Sequence, residues 1–282
     1  MNPNPTIAIA SGKGGTGKTT LAVHLAACLA EEGRSVQYLD CDVEEPNGHL
    51  FLKPKFELSE EASIPVPSIN STLCTSCGQC AKVCEFNAIA MINIPMVFRE
   101  LCHGCGACSL ACPVGAIREI PRPIGVVETG RSGSIAFVQG RLNVGEPMSP
   151  PLILAVKSHR APNAIALLDA PPGTSCPVVA TVRGADCVVL VTEPTPFGLH
   201  DLSIAIDMLR PMGLPLGVVV NRADADRRVQ DYCRANTIPI LAELPDDRRV
   251  AETYARGDLL FDRLPEWHSY FTALWHQIEM RK

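Results

Sequence analysis

Between the apolar run Thr6–Ala10 and the helix-length stretch Thr19–Glu32 lies Gly12-Lys13-Gly14-Gly15-Thr16-Gly17-Lys18-Thr19, a glycine-rich loop ending in Lys-Thr. Such a loop needs a strand before it and a helix after it, because only then do its backbone N–H groups and the positive helix end converge on one phosphate-sized volume. Gly12, Gly14, Gly15, Thr16 and Gly17 read as the backbone cradle, completed by Thr20. Lys18 reads as the counter-charge to β- and γ-phosphates, and the Thr19 hydroxyl as a ligand for Mg2+. A fold with this loop is an α/β fold. The rest of the chain alternates accordingly. Val36–Leu39, Ala164–Leu168, Cys187–Val191, Leu216–Val220 and Ile238–Ala242 read as strands, and Pro177–Gly184, Leu199–Pro211 and Ala225–Ala235 as helices. Strands apolar on both faces and separated by helices require a doubly wound parallel sheet, covered on both sides.

The alternation stops between about Lys53 and Pro123, where seven prolines accompany eight of the thirteen cysteines. At an offset of 28 residues, Cys74, Cys77, Gly78, Cys80, Cys84, Ala88 and Ile89 recur as Cys102, Cys105, Gly106, Cys108, Cys112, Ala116 and Ile117. Two similar half-units imply internal pseudo-twofold symmetry, and a second domain inserted into the first. The expected division is 1–58 and 124–282 for the phosphate-loop domain and 59–123 for the insertion. Val126–Glu128 and Ile135–Val138, around residues 129–133, read as a hairpin that returns the chain to the larger domain.

Each half carries C-x2-C-x2-C-x3-C, the doubled spacing of bacterial ferredoxins with two 4Fe-4S clusters, in which the fourth cysteine of each run ligates the other cluster. One ligand set is then Cys74, Cys77, Cys80 and Cys112, and the other Cys84, Cys102, Cys105 and Cys108. Zinc is the competing metal for four thiolates at two-residue gaps, but it has no use for a triple-plus-one run given twice. Cys112 is followed by Pro113 as in ferredoxins, whereas Cys84 is followed by Glu85, which leaves the second centre more exposed or more negative. Of the remaining cysteines, Cys28, Cys187 and Cys233 read as core residues.

The stretch Met1–Ser11 has no basic, then apolar, leader pattern, and no run of about 18 apolar residues occurs, so a reducing cytoplasm is expected. There cysteines serve metals more often than disulfides. A formal net charge of −5 supplies no basic field, so neither nucleic acid nor an anionic membrane surface is an expected partner. Trp267, Tyr270, Phe271, Leu274, Trp275 and Ile278 follow helical spacing opposite a face without a basic belt, which suits docking onto the parent domain.

Ser11 to Thr20, with its early second lysine, resembles the deviant Walker A loop of the MinD/Mrp/nitrogenase-iron-protein group of P-loop NTPases (the SIMIBI class). With the cysteine repeat, the chain resembles MinD-superfamily ATPases that carry an inserted α+β ferredoxin-like domain. The resemblance implies ATP hydrolysis, slow without a partner protein, by a homodimer in which Lys13 reaches the partner's nucleotide much as an arginine finger does. It also implies that Asp42, in Asp40-Cys41-Asp42, orients the attacking or metal-bound water, and that Asp169, in Asp169-Ala170-Pro171-Pro172-Gly173, stands on the magnesium side. Asn221, Arg222, Pro245 and Asp246 fall where the family contacts adenine. Cys176, seven residues after Asp169, resembles a cluster cysteine of the nitrogenase iron protein but lacks a companion. The implied function is a nucleotide-driven dimer switch coupled to electron transfer through two clusters to a redox partner. The alternative is ATP-dependent metallocofactor or iron–sulfur cluster assembly, although the late C-x2-C of Mrp-type scaffolds is missing.

Overall fold

A computed structural model describes residues 4–281, so the outermost residues of the expected division, 1–3 and 282, lie outside it. Its main sheet holds β1 (Thr6–Ala10), β2 (Val36–Asp40), β3 (Lys55–Ile69), β6 (Ile117–Ser132), β7 (Ile135–Leu142), β8 (Ile165–Asp169), β9 (Cys187–Thr192), β10 (Leu216–Ala223) and β11 (Ile240–Pro245), in the order β11-β10-β9-β1-β8-β2-β7-β6-β3. β4 (Ile89–Met91) and β5 (Pro95–Val97) form a separate ribbon. The helices are α1 (Lys18–Glu31), α2 (Gly48–Leu52), α3 (Gln79–Lys82), α4 (Ala107–Leu110), α5 (Pro150–Ser158), α6 (Cys176–Val182), α7 (Pro196–Leu209), α8 (Arg228–Ala235), α9 (Arg248–Tyr254) and α10 (His268–Glu279).

β1, β2 and β7 to β11 pair in parallel, as strands apolar on both faces require. In β1, Ile7 and Ile9 face a core shared with α1 and α10, while Ala8 and Ala10 face one shared with α5, α6 and α7. The period of two thus builds a helical layer on each face. The C-terminal aromatics do dock inward: Trp267, Phe271, Leu274, Trp275 and Ile278 are buried in the α1 core. Cys28, Cys187 and Cys233 are buried as well. The Thr272 hydroxyl lies within reach of Cys28 Sγ, Glu32 Oε1 and His268 Nδ1, so the polar groups of the α1–α10 seam satisfy one another. No helix among the described residues is long and apolar enough to cross a membrane.

The sheet departs from the all-parallel expectation at one edge. β3 and β6 pair antiparallel from Lys55 opposite Arg131 to Ile69 opposite Ile117, and β7 covers β6 only from Gly125 to Ser132. Beyond β7 they continue as a two-stranded arm, with residues 70–116 at its tip. Residues 58–59 and 123–124 both lie within these strands, so the expected boundary is crossed by a continuous ladder. The prolines hid this from the sequence. Pro65 stands opposite Pro121, with Pro123 opposite Ser63 and Pro67 opposite Glu119. Alternate positions on facing strands can all point their nitrogens away from the ladder, and here those edges have no further strand to pair with. The β6–β7 hairpin is present but tighter than expected, because both strands run to within two residues of Gly133, whose φ of 56° closes the turn.

Several contacts brace the junction between the arm and the body. Arg122 donates to both carboxylate oxygens of Glu146 at 2.5 and 3.1 Å in a largely buried fork. α5 packs on β6 and β7 and reaches α6, where Lys157 Nζ donates to the carbonyls of Ala180, Thr181 and Arg183, each at 2.7 Å. These are the last carbonyls of a helix end, which a cation satisfies.

His24 fastens α1 to the C-terminal segment. Its Nδ1–H donates to Thr20 O at 2.6 Å and its Nε2 accepts from Leu260 N at 2.8 Å, an arrangement that requires neutral imidazole. Burial, opposed by the Thr20 carbonyl, lowers its pKa from 6.5 to about 4. The unfolded chain therefore takes up the proton first, so the stability from neutral His24 is complete above pH 6.5 and lost as pH falls towards 4. The stability difference between the wild type and His24→Asn should narrow by about 2–3 kcal/mol between pH 7.5 and about 4.5 in chemical denaturation. A difference independent of pH contradicts this role.

Candidate functional site

The phosphate loop leaves β1 at its C-terminal end and enters α1 at Lys18, which is buried. Gly15 and Gly17 have φ of 78° and 93°, in the left-handed region where a side chain is strained. Gly12 lies so close to the α7 backbone at Asp201 that a Cβ would collide with it. Asn221 Nδ2 donates to Thr16 O at 2.8 Å, bracing the loop from β10. Gly12, Gly15 and Gly17 are thus fixed by backbone conformation or by close approach, which leaves the loop N–H groups for a ligand.

Asp40 and Asp169 end β2 and β8 directly opposite each other, and both are fully buried. Asp40 accepts the backbone N–H groups of Asp42, Asn47 and Gly48 at 3.2, 3.2 and 3.0 Å, so it shapes the loop that carries Asp42. Asp169 accepts the Tyr38 hydroxyl at 2.8 Å, while its Oδ1 is buried with no hydrogen-bond partner. Burial, then the charge of Asp169, pushes Asp40 well above the usual carboxylate range. Burial also raises Asp169, opposed by Thr19 and Lys18. Asp42 is pushed up to about 7, by burial first and Asp169 second, with Lys18 opposing. Three crowded carboxyls, one with an orphaned oxygen next to Thr19 and Lys18, fit a divalent cation, which would stabilise their ionised forms.

An open cavity of about 430 Å³ adjoins the loop and is lined by Gly15, Gly17, Thr20, Asn221, Arg222, Pro245 and Asp246. Residues from three separate parts of the sequence therefore meet on one surface, within reach of the phosphate cradle. Lys13, half-exposed, lies 3.7 Å from Glu193 Oε2 of its own chain, and Arg222 donates to Glu193 Oε1 at 2.9 Å. Glu193, Tyr38 and Asp40 are residues of this candidate site that sequence reasoning missed. Glu193 had no local motif to mark it, since its two cationic partners lie far away in sequence. Asp40 was visible as the first acid of Asp40-Cys41-Asp42.

At the arm's tip the two halves of the repeat share one conformation. α3 and α4 lie 28 residues apart, and the left-handed residues Ser76, Gly78 and Asn87 are matched by Gly104, Gly106 and Gly115. The thiols are matched too: Cys74 and Cys102 accept backbone N–H bonds from Ser76 and Gly104, each at 3.4 Å, and Cys84 and Cys112 from Ala88 and Ala116 at 3.3 and 3.2 Å. Cys74, Cys77, Cys80 and Cys112 line one cavity, and Cys84, Cys102, Cys105 and Cys108 line a second. Among the described residues no three of these sulfurs come within 4.8 Å of one another. Each cavity offers four thiols, a donor set that suits a soft, thiolate-bound metal group. Cys176 is exposed at the start of α6, outside either cavity.

A family model of the CobQ/CobB/MinD/ParA nucleotide binding domain matches residues 7–261. MJ0578, an uncharacterized protein of Methanocaldococcus jannaschii, is 34% identical over 242 residues, 85% of this chain and 86% of that protein. The iron-sulfur cluster carrier protein of Aquifex aeolicus is 26% identical over 269 residues, 89% of this chain and 60% of the carrier. The septum site-determining protein MinD of Pyrococcus horikoshii, solved with Mg-ADP, superposes with a TM-score of 0.59 at 20% identity, covering 98% of this chain and 96% of that one. This last likeness is one of fold.

The buried Lys18 and the half-exposed Lys13 should respond differently to truncation. Lys18→Ala should cost roughly 2–3 kcal/mol of ATP binding, because it removes a desolvated cation from the cradle. Lys13→Ala should cost less than about 1 kcal/mol, since Lys13 forms a partly exposed pair. Calorimetric titration with Mg-ATP decides, and equal losses in the two variants contradict the assignment.

Proposed function

Because the chain belongs to the CobQ/CobB/MinD/ParA nucleotide-binding family, we propose that it is a Mg-ATP-dependent dimeric switch whose nucleotide state is coupled to a two-centre iron–sulfur unit serving a redox partner protein. The observation that carries this reading is the meeting of two built sites on one framework: a phosphate loop facing buried carboxyls, and eight cysteines divided between two cavities at the end of a paired arm.

In this reading the loop N–H groups and Lys18 hold the phosphates, and Thr19 and Asp169 hold Mg2+. Asn221, Arg222, Pro245 and Asp246 form the base-side wall. Asp42 orients water at the γ-phosphate and, with a pKa of about 7 before a cation arrives, exchanges a proton readily near neutral pH. Lys13 leaves Glu193 and crosses to the partner's nucleotide in the ATP-bound dimer. The cysteine sets named above hold two 4Fe-4S clusters, which supply one-electron chemistry when bound. The four N–H···S bonds stabilise negative charge on the thiolates.

The link between the sites is short. Val43, next to Asp42, accepts the N–H of Leu142 at the end of β7, at 2.9 Å, and packs over Gly140, where a Cβ would collide with it. Asn143 then donates to Ile124 O of β6 at 2.9 Å, and Glu146 holds Arg122. A loop that reads the γ-phosphate thus pulls on the strand leading to the cysteines.

A second reading, ATP-dependent iron–sulfur or metallocofactor assembly, is favoured by the carrier-protein relative. The exposed C-x2-C of a transferable cluster is missing from the sequence beyond the repeat, which favours the first.

Anaerobically purified protein should contain eight irons with matching sulfide per chain, and stoichiometric zinc without sulfide contradicts the iron–sulfur assignment. Reduction potentials should then differ between the ADP and ATP-analogue states by a coupling of roughly 1–3 kcal/mol. About 1.4 kcal/mol corresponds to about 60 mV for one electron. Equal potentials in both states, with clusters passing to acceptor apoproteins, would favour assembly. ATP-dependent dimerisation should fail in Lys13→Ala.

A further inference from the structure

The pseudo-twofold repeat invites a residue-by-residue comparison of its two cavities, and this comparison rests on the iron–sulfur reading. Cys74, Cys77, Cys80 and Cys112 line the distal cavity, whose remaining wall is neutral and includes Ile69, Pro95, Val114 and Ile117. The proximal cavity, with Cys84, Cys102, Cys105 and Cys108, lies against Pro65 and Pro67 of the arm and carries Glu119 in its wall. Glu119 is the 28-residue mate of Met91. The two occupy equivalent ground: the Cβ position of Gly78 is 3.8 Å from Met91 Cγ, and that of Gly106 is 3.1 Å from Glu119 Oε1. At one structural position, one half therefore presents a thioether stem and the other a carboxylate.

We propose that Glu119 makes the proximal cysteine centre the poorer electron acceptor of the pair, so that a single electron rests at the distal centre. Adding an electron to a thiolate-bound cluster adds negative charge, which a nearby carboxylate opposes and a methionine does not. Arg122 lies within electrostatic reach of the proximal ligand Cys102, but its charge is largely balanced by Glu146, which holds the guanidinium in a bidentate fork. Two sequence differences point the same way. Glu85 follows the proximal ligand Cys84 where Pro113 follows the distal ligand Cys112, and Lys82 of the distal triple is replaced by Leu110 in the proximal one. Of the other cavity differences, Ala107 for Gln79 and Phe86 for Val114 carry no charge, and His103, which replaces Thr75, is stacked on Phe86 with ring centroids 3.6 Å apart. An electron delivered by an external one-electron donor to the proximal centre would pass on, oxidising that centre and reducing the distal one. The repeat thereby becomes a directed path running outwards from the nucleotide-binding body.

The test is an anaerobic potentiometric titration with dithionite of protein first shown to hold eight irons per chain. Two separate one-electron waves are expected. Glu119→Met should raise the lower wave and leave the upper one in place, narrowing the gap. Met91→Glu should lower the upper wave, and the double exchange should reverse which centre is reduced first. The order is read from the paramagnetic spectrum of the singly reduced form. Thermal unfolding of each variant controls for loss of structure. A full complement of iron with waves that neither substitution moves, or with Glu119→Met moving the upper wave, overturns the assignment. Protein that never holds the iron defeats the iron–sulfur reading instead.

Discussion

Two fully buried carboxyls that end neighbouring strands set the terms for the rest of this molecule. Asp40 and Asp169 sit opposite each other in the β2–β8 ladder, fully buried, and each raises the other's cost of ionisation. The fold compensates unequally. Asp40 is supplied with three backbone N–H groups and thereby determines the path of residues 42–48. Asp169 receives one phenolic hydroxyl and keeps one oxygen unpartnered. A cation would offset the crowding of these carboxyls, and the loop that Asp40 shapes lies beside them. Stability and ligand response are therefore drawn from the same few groups.

The arm extends that constraint outwards. β7 enters the sheet in parallel beside β2, and only then does β6 pair back on it antiparallel, so the route to the cysteines starts one strand from the carboxyls. α5 sits at the junction, touching β6 and β7 on one side and capping α6 through Lys157 on the other. Both segments that flank a γ-phosphate in the proposed switch, residues 42–48 and the turn before α6, thus border elements that grip the arm. In the proposed switch, packing with two arrangements would transmit a small shift without a continuous hydrogen-bonded chain.

The central strands were legible because an apolar run between helices has one stable use. β1 was read with its observed bounds, and β2 and β9 to within one residue at their ends. The arm was not legible. Its prolines disqualify a strand in any window that ignores where the nitrogens point, and Lys55–Glu61 is too polar to show a buried face, as befits a sheet edge guarded by charge. The division of eight cysteines between two cavities was legible, because an internal repeat carries three-dimensional symmetry in one dimension. Glu193 and Tyr38 were not, since each matters only through a partner more than a hundred residues away or on another element. The parking of Lys13 on Glu193 was hidden for the same reason.

In the proposed switch residues 42–48 move the arm, and amide hydrogen exchange reads that coupling directly. The Leu142 amide, bonded to Val43 O, reports on the junction itself. On passing from Mg-ADP to a non-hydrolysable Mg-ATP analogue, exchange should change together in residues 42–48, in 142–146 and in the free-standing part of β6, 117–124. A change confined to the phosphate loop and residues 42–48, with 142–146 and 117–124 exchanging identically in both states, would contradict it.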